Sequence, residues 1–302
     1  MTVQITSRAA RRREAARDRA RQRALILGGG RTATVAACAA LVLLTVLWLA
    51  PMVWGLLTSL RTEQDAVSLP VALLPENGFT LEQYRSLFAA GNIQLWMVNS
   101  LLVAVLVTLF TLVVSAPAAF AMSRLPFRGR ALLAALTVGA IMVPPQLLIV
   151  PLFQQMVALN LVDTYAAVIL PQLVMPVIVF ILKRFFDTVP RELDDAARMD
   201  GASNWRLFTS VILPLSRPIL AAAAIFVFIT AWNNYLWPFI ITTDPALMTL
   251  PVGIPNILNA HGTFYAAQLA SSMVAAAPMI IVFLFFQRHI IRSVATTGLG
   301  GR

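Results

Sequence analysis

Six long apolar runs organise this chain, and more polar segments of varied length separate them. Each run has at least 19 residues, and none contains Asp, Glu, Lys, Arg or His. A helix needs about 20 apolar residues to cross the hydrocarbon core of a bilayer. The pattern therefore predicts an all-α integral membrane protein with six transmembrane helices, over residues 32–60, 95–122, 131–156, 164–182, 218–242 and 266–287.

Composition supports a membrane protein and excludes a soluble one. The 302 residues are 59% hydrophobic and 12% charged, about half the charged share of a typical soluble domain. The net charge of +10 raises nucleic acid as a partner, but the arginines lie between apolar runs, so we expect membrane lipids and no nucleic acid. Cys38 is the only cysteine, and His261 and His289 are the only histidines. Neither an intrachain disulfide nor a metal site is expected.

Positive charges are distributed unevenly between the two sides of the predicted membrane domain. Six spans place both termini and the segments 122–130 and 183–217 on one side. The tail 1–31, these two segments and the C-terminal end carry nine, three, six and three Lys or Arg residues, which is 21 of the 23 in the chain. Because such residues collect on the cytoplasmic side, we expect a multi-pass protein of the plasma (inner) membrane with both termini cytoplasmic.

The chain divides into an Arg-rich tail, residues 1–31, and a membrane domain, residues 32–302. We expect the tail to be cytoplasmic and to contact anionic lipid; a specific partner is the alternative. Its GGGR sequence lacks the Lys-Ser/Thr pair of a P-loop, and Lys183 is the only lysine in the chain. The chain is therefore not expected to bind ATP through a Walker motif, and no cofactor is expected in it.

The stretch RELDDAARMDGASNWRLFTSVILPLSRP (191–218) is the charged exception in an apolar chain. Pro190 suits the first turn of a helix, where its missing N–H costs nothing. The acids that follow favour the positive end of the helix dipole. Arg198 lies four residues after Asp194, a spacing that favours an ion pair along one helix face.

A second short helix is predicted to follow the first. Gly201 is a natural helix stop, and Ser203 can cap a new helix over NWRLFTSVIL, which we expect to end before Pro214. On helix chemistry alone, a solvated loop helix and a docking element remain equal interpretations.

The spacing of this segment resembles the EAA motif of ABC importer permeases. That motif reads Glu-Ala-Ala, three residues, Gly, nine residues, Ile-x-Leu-Pro; here Asp195 replaces Glu and Val211 replaces Ile. In such importers the motif lies in a cytoplasmic coupling helix that docks on an ATPase subunit. The resemblance implies ATPase-coupling roles within the loop 183–217 for Glu192, Asp194, Asp195, Ala196, Ala197, Arg198, Asp200, Gly201, Ala202 and Ser203.

Four further stretches resemble the carbohydrate-uptake permeases, in particular the smaller permease of the maltose type. They are VNSLLVA (98–104), MVPPQLLIVPLF (142–153), AWNNYLWPFIITTDPALMTLPVGI (231–254) and FLFFQRHIIRSVATTGLGG (283–301). The resemblance implies a type I ABC importer fold with a family-like core over about residues 95–290. It also implies a second permease chain in a heterodimer, two cytoplasmic ATPase subunits and an extracytoplasmic solute-binding protein, which together move a sugar or oligosaccharide by alternating access.

Aromatic and amide side chains in the fifth run are candidates for the substrate pathway. Aromatic faces and hydrogen-bonding amides are the groups that bind sugars. The candidates are Trp232, Asn233, Asn234, Tyr235 and Trp237. An interfacial Trp/Tyr belt or helix packing is the alternative for this set, and packing is the first expectation for Gln146 and Gln172. The loops 61–94 and 243–265, the latter with His261, are expected to face the binding protein.

Other functions fit the residues less well. A membrane-embedded enzyme needs a nucleophile with a base, or metal ligands, at membrane depth, and the runs contain no charged residue or histidine. A secondary carrier usually needs intramembrane ionisable residues, and the runs contain no Asp, Glu, Lys, Arg or His; a sodium site built only from carbonyls and hydroxyls stays open. Such carriers often have an internal repeat, and residues 32–150 and 151–290 show no convincing one. A permease for another solute, such as glycerol 3-phosphate, stays open. A phosphate ligand would favour arginines along the pathway; the six runs contain none, but a partner chain could supply them.

Overall fold

The regular elements of the protein are helices throughout the part of the chain that the structure describes. The computed structural model describes residues 31–68, 74–89, 92–259 and 264–299. Residues 1–30 of the predicted tail and His261 lie outside the described residues. The helices, in chain order, are α1 (Arg31–Ser59), α2 (Glu63–Val67), α3 (Glu82–Ala89), α4 (Ile93–Arg124), α5 (Arg130–Ile141), α6 (Ile149–Ala158), α7 (Tyr165–Ile169), α8 (Pro176–Thr188), α9 (Glu192–Met199), α10 (Asn204–Leu207), α11 (Leu213–Leu215), α12 (Arg217–Trp232), α13 (Leu236–Ile241), α14 (Leu250–Asn259) and α15 (Tyr265–Leu299).

Within the described ranges, three helices are long and apolar enough to cross a membrane without a break, namely α1, α4 and α15. They correspond to the first, second and sixth predicted runs. Large apolar side chains such as Leu43 and Trp48 are exposed along α1, as expected of a surface that lipid covers.

The third and fourth predicted runs are bent rather than straight. Two segments of the third run, α5 and Pro145–Ala158, meet at 96°, and two segments of the fourth, Tyr165–Gln172 and α8, meet at 43°. Prolines lie at both breaks, at Pro144 and Pro176 among others. A proline cannot donate the backbone hydrogen bond of a continuous helix, so it favours a break at these points.

The fifth run is not the single helix over 218–242 that the sequence predicts. Here α12 ends at Trp232 and α13 begins only at Leu236. Pro238 accounts for the break, because its ring would clash with the carbonyl of Asn234 in a continuous helix. The side-chain amide of Asn233 donates to the carbonyl of Ile229 at 2.8 Å, which satisfies one of the acceptors left free at the end of α12.

Helix α4 is the main packing element among residues 59–302, and α8 and α12 pack extensively against it. Its buried positions extend from Ile93 at one end to Arg124 at the other. Several of them are small, including Ala104 and Ala119, and small residues allow helices to approach closely in a membrane. At about 1.5 Å per residue, the 32 residues of α4 extend about 48 Å, enough to join the two sides of a bilayer.

The N-terminal end of α4 packs against α14 through a close ring contact. Gly253 lies against the indole of Trp96, and a Cβ built on this glycine would come within 2.1 Å of Trp96 Cε3. Both residues are buried. Only glycine therefore permits this approach of α14 to α4.

Replacing Gly253 by Ala should destabilise the protein by about 1–3 kcal/mol, the cost of overpacking a closed site. Thermal unfolding of the detergent-solubilised protein measures this loss. Gly139→Ala is the matched control, since Gly139 also lies in a helix but its added Cβ meets no atom within 4 Å. Equal unfolding temperatures for the two variants would contradict the packing argument.

Candidate functional site

The charged segment forms two short helices joined by a sharp turn, as the sequence predicts. Helix α9 begins at Glu192, so Pro190 precedes the helix rather than occupying its first turn. Gly201 has a φ of +76°, and the N–H groups of Gly201 and Ala202 donate to the carbonyls of Arg198 and Ala197. This is the hydrogen-bond pattern of a glycine-ended helix.

The second helix differs from the prediction at its end. Ser203 caps α10 as predicted, and its hydroxyl accepts a hydrogen bond from the N–H of Arg206 at 3.3 Å. The helical structure does not end before Pro214. A π-helical turn, Phe208–Ile212, follows α10 and leads directly into α11. Pro214 cannot donate to the carbonyl four residues earlier, and the wider turn accommodates that missing bond.

Asp194 pairs with an arginine on a different helix, not with Arg198 as predicted. Its carboxylate lies 3.1 Å from the guanidinium of Arg124, and the two side chains are only 9% and 1% exposed. Arg198 instead donates to the side-chain oxygen of Asn204 at 3.3 Å. The pair joins α9 to the C-terminal end of α4.

Arg124 also closes the end of α8. Its Nη2 donates to the carbonyl of Phe186 at 2.7 Å and to that of Val189 at 2.6 Å. A helix end leaves such carbonyls without partners inside the helix, and a cation there is favoured by the helix dipole. One guanidinium thus holds α4, α8 and α9 together. In the sequence Arg124 stands out only as one of the orientation charges after the second run.

The outer surface of this segment exposes acids and apolar side chains together. The coupling candidates Glu192, Asp195, Ala196, Arg198, Asp200 and Gly201 are exposed, whereas Ala197 and Ala202 are half-buried. Met199 is 88% exposed and Trp205 is 67% exposed. Exposed large apolar groups within a polar surface are typical of a protein-binding surface. In the sequence, Met199 and Trp205 are marked only by their position, because they are apolar residues inside a charged linker between two spans.

The candidate pathway residues do not share one environment. Trp232 and Trp237 are buried, and their indole N–H groups donate to the carbonyls of Ala275 and Ala167 at 3.3 and 3.0 Å. Trp232 also stacks on Phe228 at a ring distance of 6.1 Å. These contacts are those of helix packing, one of the alternatives for this set.

The amides at the break between α12 and α13 lie in a more accessible place. Asn233 and Tyr235 are exposed, and Asn234 is half-buried. The Asn234 amide donates to the side-chain oxygen of Gln172 at 2.7 Å, and Gln172 lies at the break of the fourth run. The two interrupted runs therefore meet at their breaks through a polar contact, and aromatic and amide groups lie beside it.

The N-terminal end of α4 binds the loop that precedes α14. The Trp96 indole donates to the carbonyl of Pro245 at 2.7 Å. The Asn99 amide donates to the carbonyls of Ala246 and Met248 at 2.8 and 2.9 Å. The hydroxyl of Ser100 accepts from the N–H of Leu250 at 2.7 Å. The residues 245–250 are thus held to α4 by four hydrogen bonds.

Asp163 ties a second loop to the same end of the molecule. Its carboxylate accepts from the N–H and hydroxyl of Thr243 and from the N–H of Asp244. The hydrogen bond from the Thr243 hydroxyl, with the bond from the N–H of Asp244, outweighs desolvation and lowers the pKa of Asp163 below its ordinary value. The loop after α6 and the loop after α13 are therefore joined by an ionised carboxylate.

These features define a helical membrane protein of the permease class, with a central helix that holds a loop at one end and a charged surface segment at the other. The chain belongs to the family of binding-protein-dependent transport system inner membrane components, which matches residues 24–296.

Characterised relatives are permease proteins. The chain is 34% identical over 253 residues to the arabinooligosaccharides transport system permease protein AraQ of Halalkalibacterium halodurans, with 83% of this chain and 91% of that protein covered. It is 34% identical over 265 residues to the trehalose/maltose transport system permease protein MalG of Thermococcus litoralis, with 86% and 94% covered.

A solved structure shares the fold. It is the crystal structure of a bacterial ABC transporter involved in the import of the acidic polysaccharide alginate, with a TM-score of 0.73, 20% identity, and 86% of this chain and 98% of that chain covered. The resemblance to ABC importer permeases found in the sequence is confirmed, and the chain is a transport component with an importer permease fold.

Replacing Asp163 by Asn should lower the unfolding temperature at neutral pH, because the ionised carboxylate holds the two loops together. A carboxylate with a lowered pKa stabilises the fold above its unfolded pKa of about 3.9, and the effect is lost as the pH falls through the folded value. The difference between wild type and variant should therefore shrink below about pH 4. Unfolding curves in nanodiscs between neutral and acidic pH measure it. A difference that does not depend on pH would contradict the assignment, and Glu82→Gln, at an exposed acid, is the control.

Proposed function

We propose that this chain is a permease subunit of an ATP-driven importer that moves a sugar or oligosaccharide into the cell by alternating access. The observation that carries the proposal is the surface of α9 and α10, which exposes acids together with the side chains of Met199 and Trp205. Such a surface suits a water-soluble protein partner. Relatives named for arabinooligosaccharides and for trehalose and maltose support a sugar as the substrate.

The partner proposed for this surface is a cytoplasmic ATPase, two copies of which would serve a heterodimer of permeases. The Walker lysine pattern is missing from the chain, so ATP and Mg²⁺ belong to that partner. Asp195 and Arg198 are exposed on α9 and are proposed to contact it. Asp194 is buried and is proposed to hold the helix in place.

The topology proposed has six spans with both termini in the cytoplasm. The spans are α1, α4 and α15, the two bent pairs of the third and fourth runs, and α12 with α13 for the fifth run. The residues at the two ends of α4 support this arrangement, because loops 157–163 and 243–250 meet at one end and α9 meets the other. Asp200→Cys, in a variant without Cys38, tests it with an impermeant thiol reagent. Labelling should occur in inside-out vesicles; labelling from the outside of intact cells would contradict the orientation.

The break between α12 and α13 is proposed to line the substrate pathway. Asn233 and Tyr235 are exposed there, and they offer an amide and an aromatic face to a sugar. An anionic solute such as glycerol 3-phosphate would favour cations along the pathway, and the six runs contain none. The second permease chain would complete the pathway, and a solute-binding protein would deliver the sugar to the end that carries residues 243–250.

Affinity purification of the tagged chain in mild detergent, followed by mass spectrometry, tests the assembly. We expect a second permease, an ATPase and a binding protein to be recovered, and the binding protein can then be screened against sugars. Recovery of the chain alone, stable and able to transport in liposomes, would overturn the proposal in favour of a self-contained carrier.

Two nearly isosteric variants of Gly201 distinguish the effect of an added charge from the effect of backbone strain at the turn. The turn belongs to the docking surface, which is the exposed surface of α9 and α10. Asn and Asp both tolerate a positive φ better than other side chains, but only Asp adds a negative charge. Gly201→Asp should reduce ATPase recovery and sugar uptake well below the level of Gly201→Asn. Normal ATPase recovery together with normal uptake in Gly201→Asp would contradict docking at this turn.

A further inference from the structure

The last turns of α4 contact both helices of the charged segment. Arg124 pairs with Asp194 on α9. One turn earlier, the ring of Phe120 packs against that of Phe208, with centroids 5.0 Å apart, and Phe208 follows α10 directly. The ring of Phe208 in turn packs against that of the exposed Trp205, with centroids 5.6 Å apart. The surface of this segment is thus connected to α4 by one ionic and one aromatic route.

The buried ion pair fixes geometry more than it adds stability. Removing two charges from water is costly, and the attraction between them repays that cost only with good geometry and further hydrogen bonds. Arg124 has those bonds, to the carbonyls of Phe186 and Val189. A guanidinium with three acceptors on α8, α9 and the linker between them leaves these elements little freedom to slide past α4.

The other end of α4 has an equally fixed attachment. Trp96, Asn99 and Ser100 hold residues 245–250 by hydrogen bonds. No helix break separates this end from Arg124, since α4 is one helix from Ile93 to its last residue. One continuous helix, which contains Pro117 without a break, thus joins the α9 end to the loop at the opposite end.

We propose that α4 transmits movement between the α9 segment and the loop 243–250, with Arg124 and Asp194 as positioning residues that make α9 and α4 move as one unit. The proposal rests on the proposed function, in which α9 meets the ATPase and the loop 243–250 faces the opposite side of the membrane. ATP-driven closure would then reach that loop through α4, and a ligand at the loop would reach the ATPase by the same route.

The neighbouring charged residues provide matched controls. Lys183 and Asp187 form an ion pair at 2.7 Å on α8. Asp187 also accepts a hydrogen bond from Ser123 on α4 at 2.7 Å, so this pair ties α8 to α4 and does not join α9 to α4. Asp195 follows Asp194 directly but is exposed. It belongs to the docking surface and not to the connection with α4.

Hydrogen exchange of the purified full complex in nanodiscs, with and without Mg-ATP and vanadate, tests the transmission. In the wild type, protection should change both in peptides over 192–203 and in peptides over 243–250. Asp194→Asn should keep the change at 192–203 and reduce the change at 243–250 about fivefold or more, the lower end of allosteric coupling factors. Lys183→Gln should keep both changes, and Asp195→Asn should reduce both together because it weakens docking.

A change at 243–250 that persists in Asp194→Asn would overturn the transmission route, as would a wild type that responds only at 192–203. A wild type without any response at 192–203 would instead overturn the docking function itself, and with it this inference. If Asp194→Asn does not assemble, the double variant Arg124→Gln with Asp194→Asn replaces it, because removing both charges leaves no unpaired charge buried. The same loss at 243–250 is expected there, and its absence overturns the proposal.

Discussion

The ion pair between Arg124 and Asp194 is the contact on which the arrangement of the charged end depends. Both side chains are almost fully buried, and loss of one partner from such a pair typically costs about 3–5 kcal/mol because the other charge is left without compensation. The pair also determines which face of α9 points outward. With Asp194 turned inward, the neighbouring Asp195 and the nearby Met199 are exposed, so the same contact that anchors α9 creates its outer surface.

The membrane imposes a second constraint, since every break in a span frees backbone groups that lipid cannot satisfy. Side-chain amides supply the partners at the fifth run. Asn233 bonds the end of its own helix, and Asn234 bonds Gln172 at the break of the fourth run. The breaks of the fourth and fifth runs are therefore packed against one another, and the accessible polar groups beside them are the position proposed above for a hydroxyl-rich solute.

Local features of the chain could be predicted from the sequence, and long-range contacts could not. The helix stop at Gly201 and the cap at Ser203 depend on neighbours within a few residues, and both are found in the structure. The partner of Asp194 was predicted wrongly, because Arg198 lies four residues away whereas Arg124 lies 70 residues earlier and is brought close only by helix packing. The sequence also could not predict that the two tryptophans are buried while Asn233 and Tyr235 are exposed. The indole N–H groups bond to carbonyls of other helices, and only helix packing brings those carbonyls close.

The distribution of charge connects these features to the energy source. Among the described residues, the buried charged side chains are Arg61, Asp65, Arg124 and Asp194, and all four lie beyond the ends of the apolar runs. There Asp65, Arg124 and Asp194 fix loops and helix ends, while the runs themselves contain no Asp, Glu, Lys, Arg or His to bind a driving ion. In the proposed function, work on this protein enters as movement at a surface, and the segment that exposes acids, Met199 and Trp205 at the end of the central helix is the surface proposed to receive it.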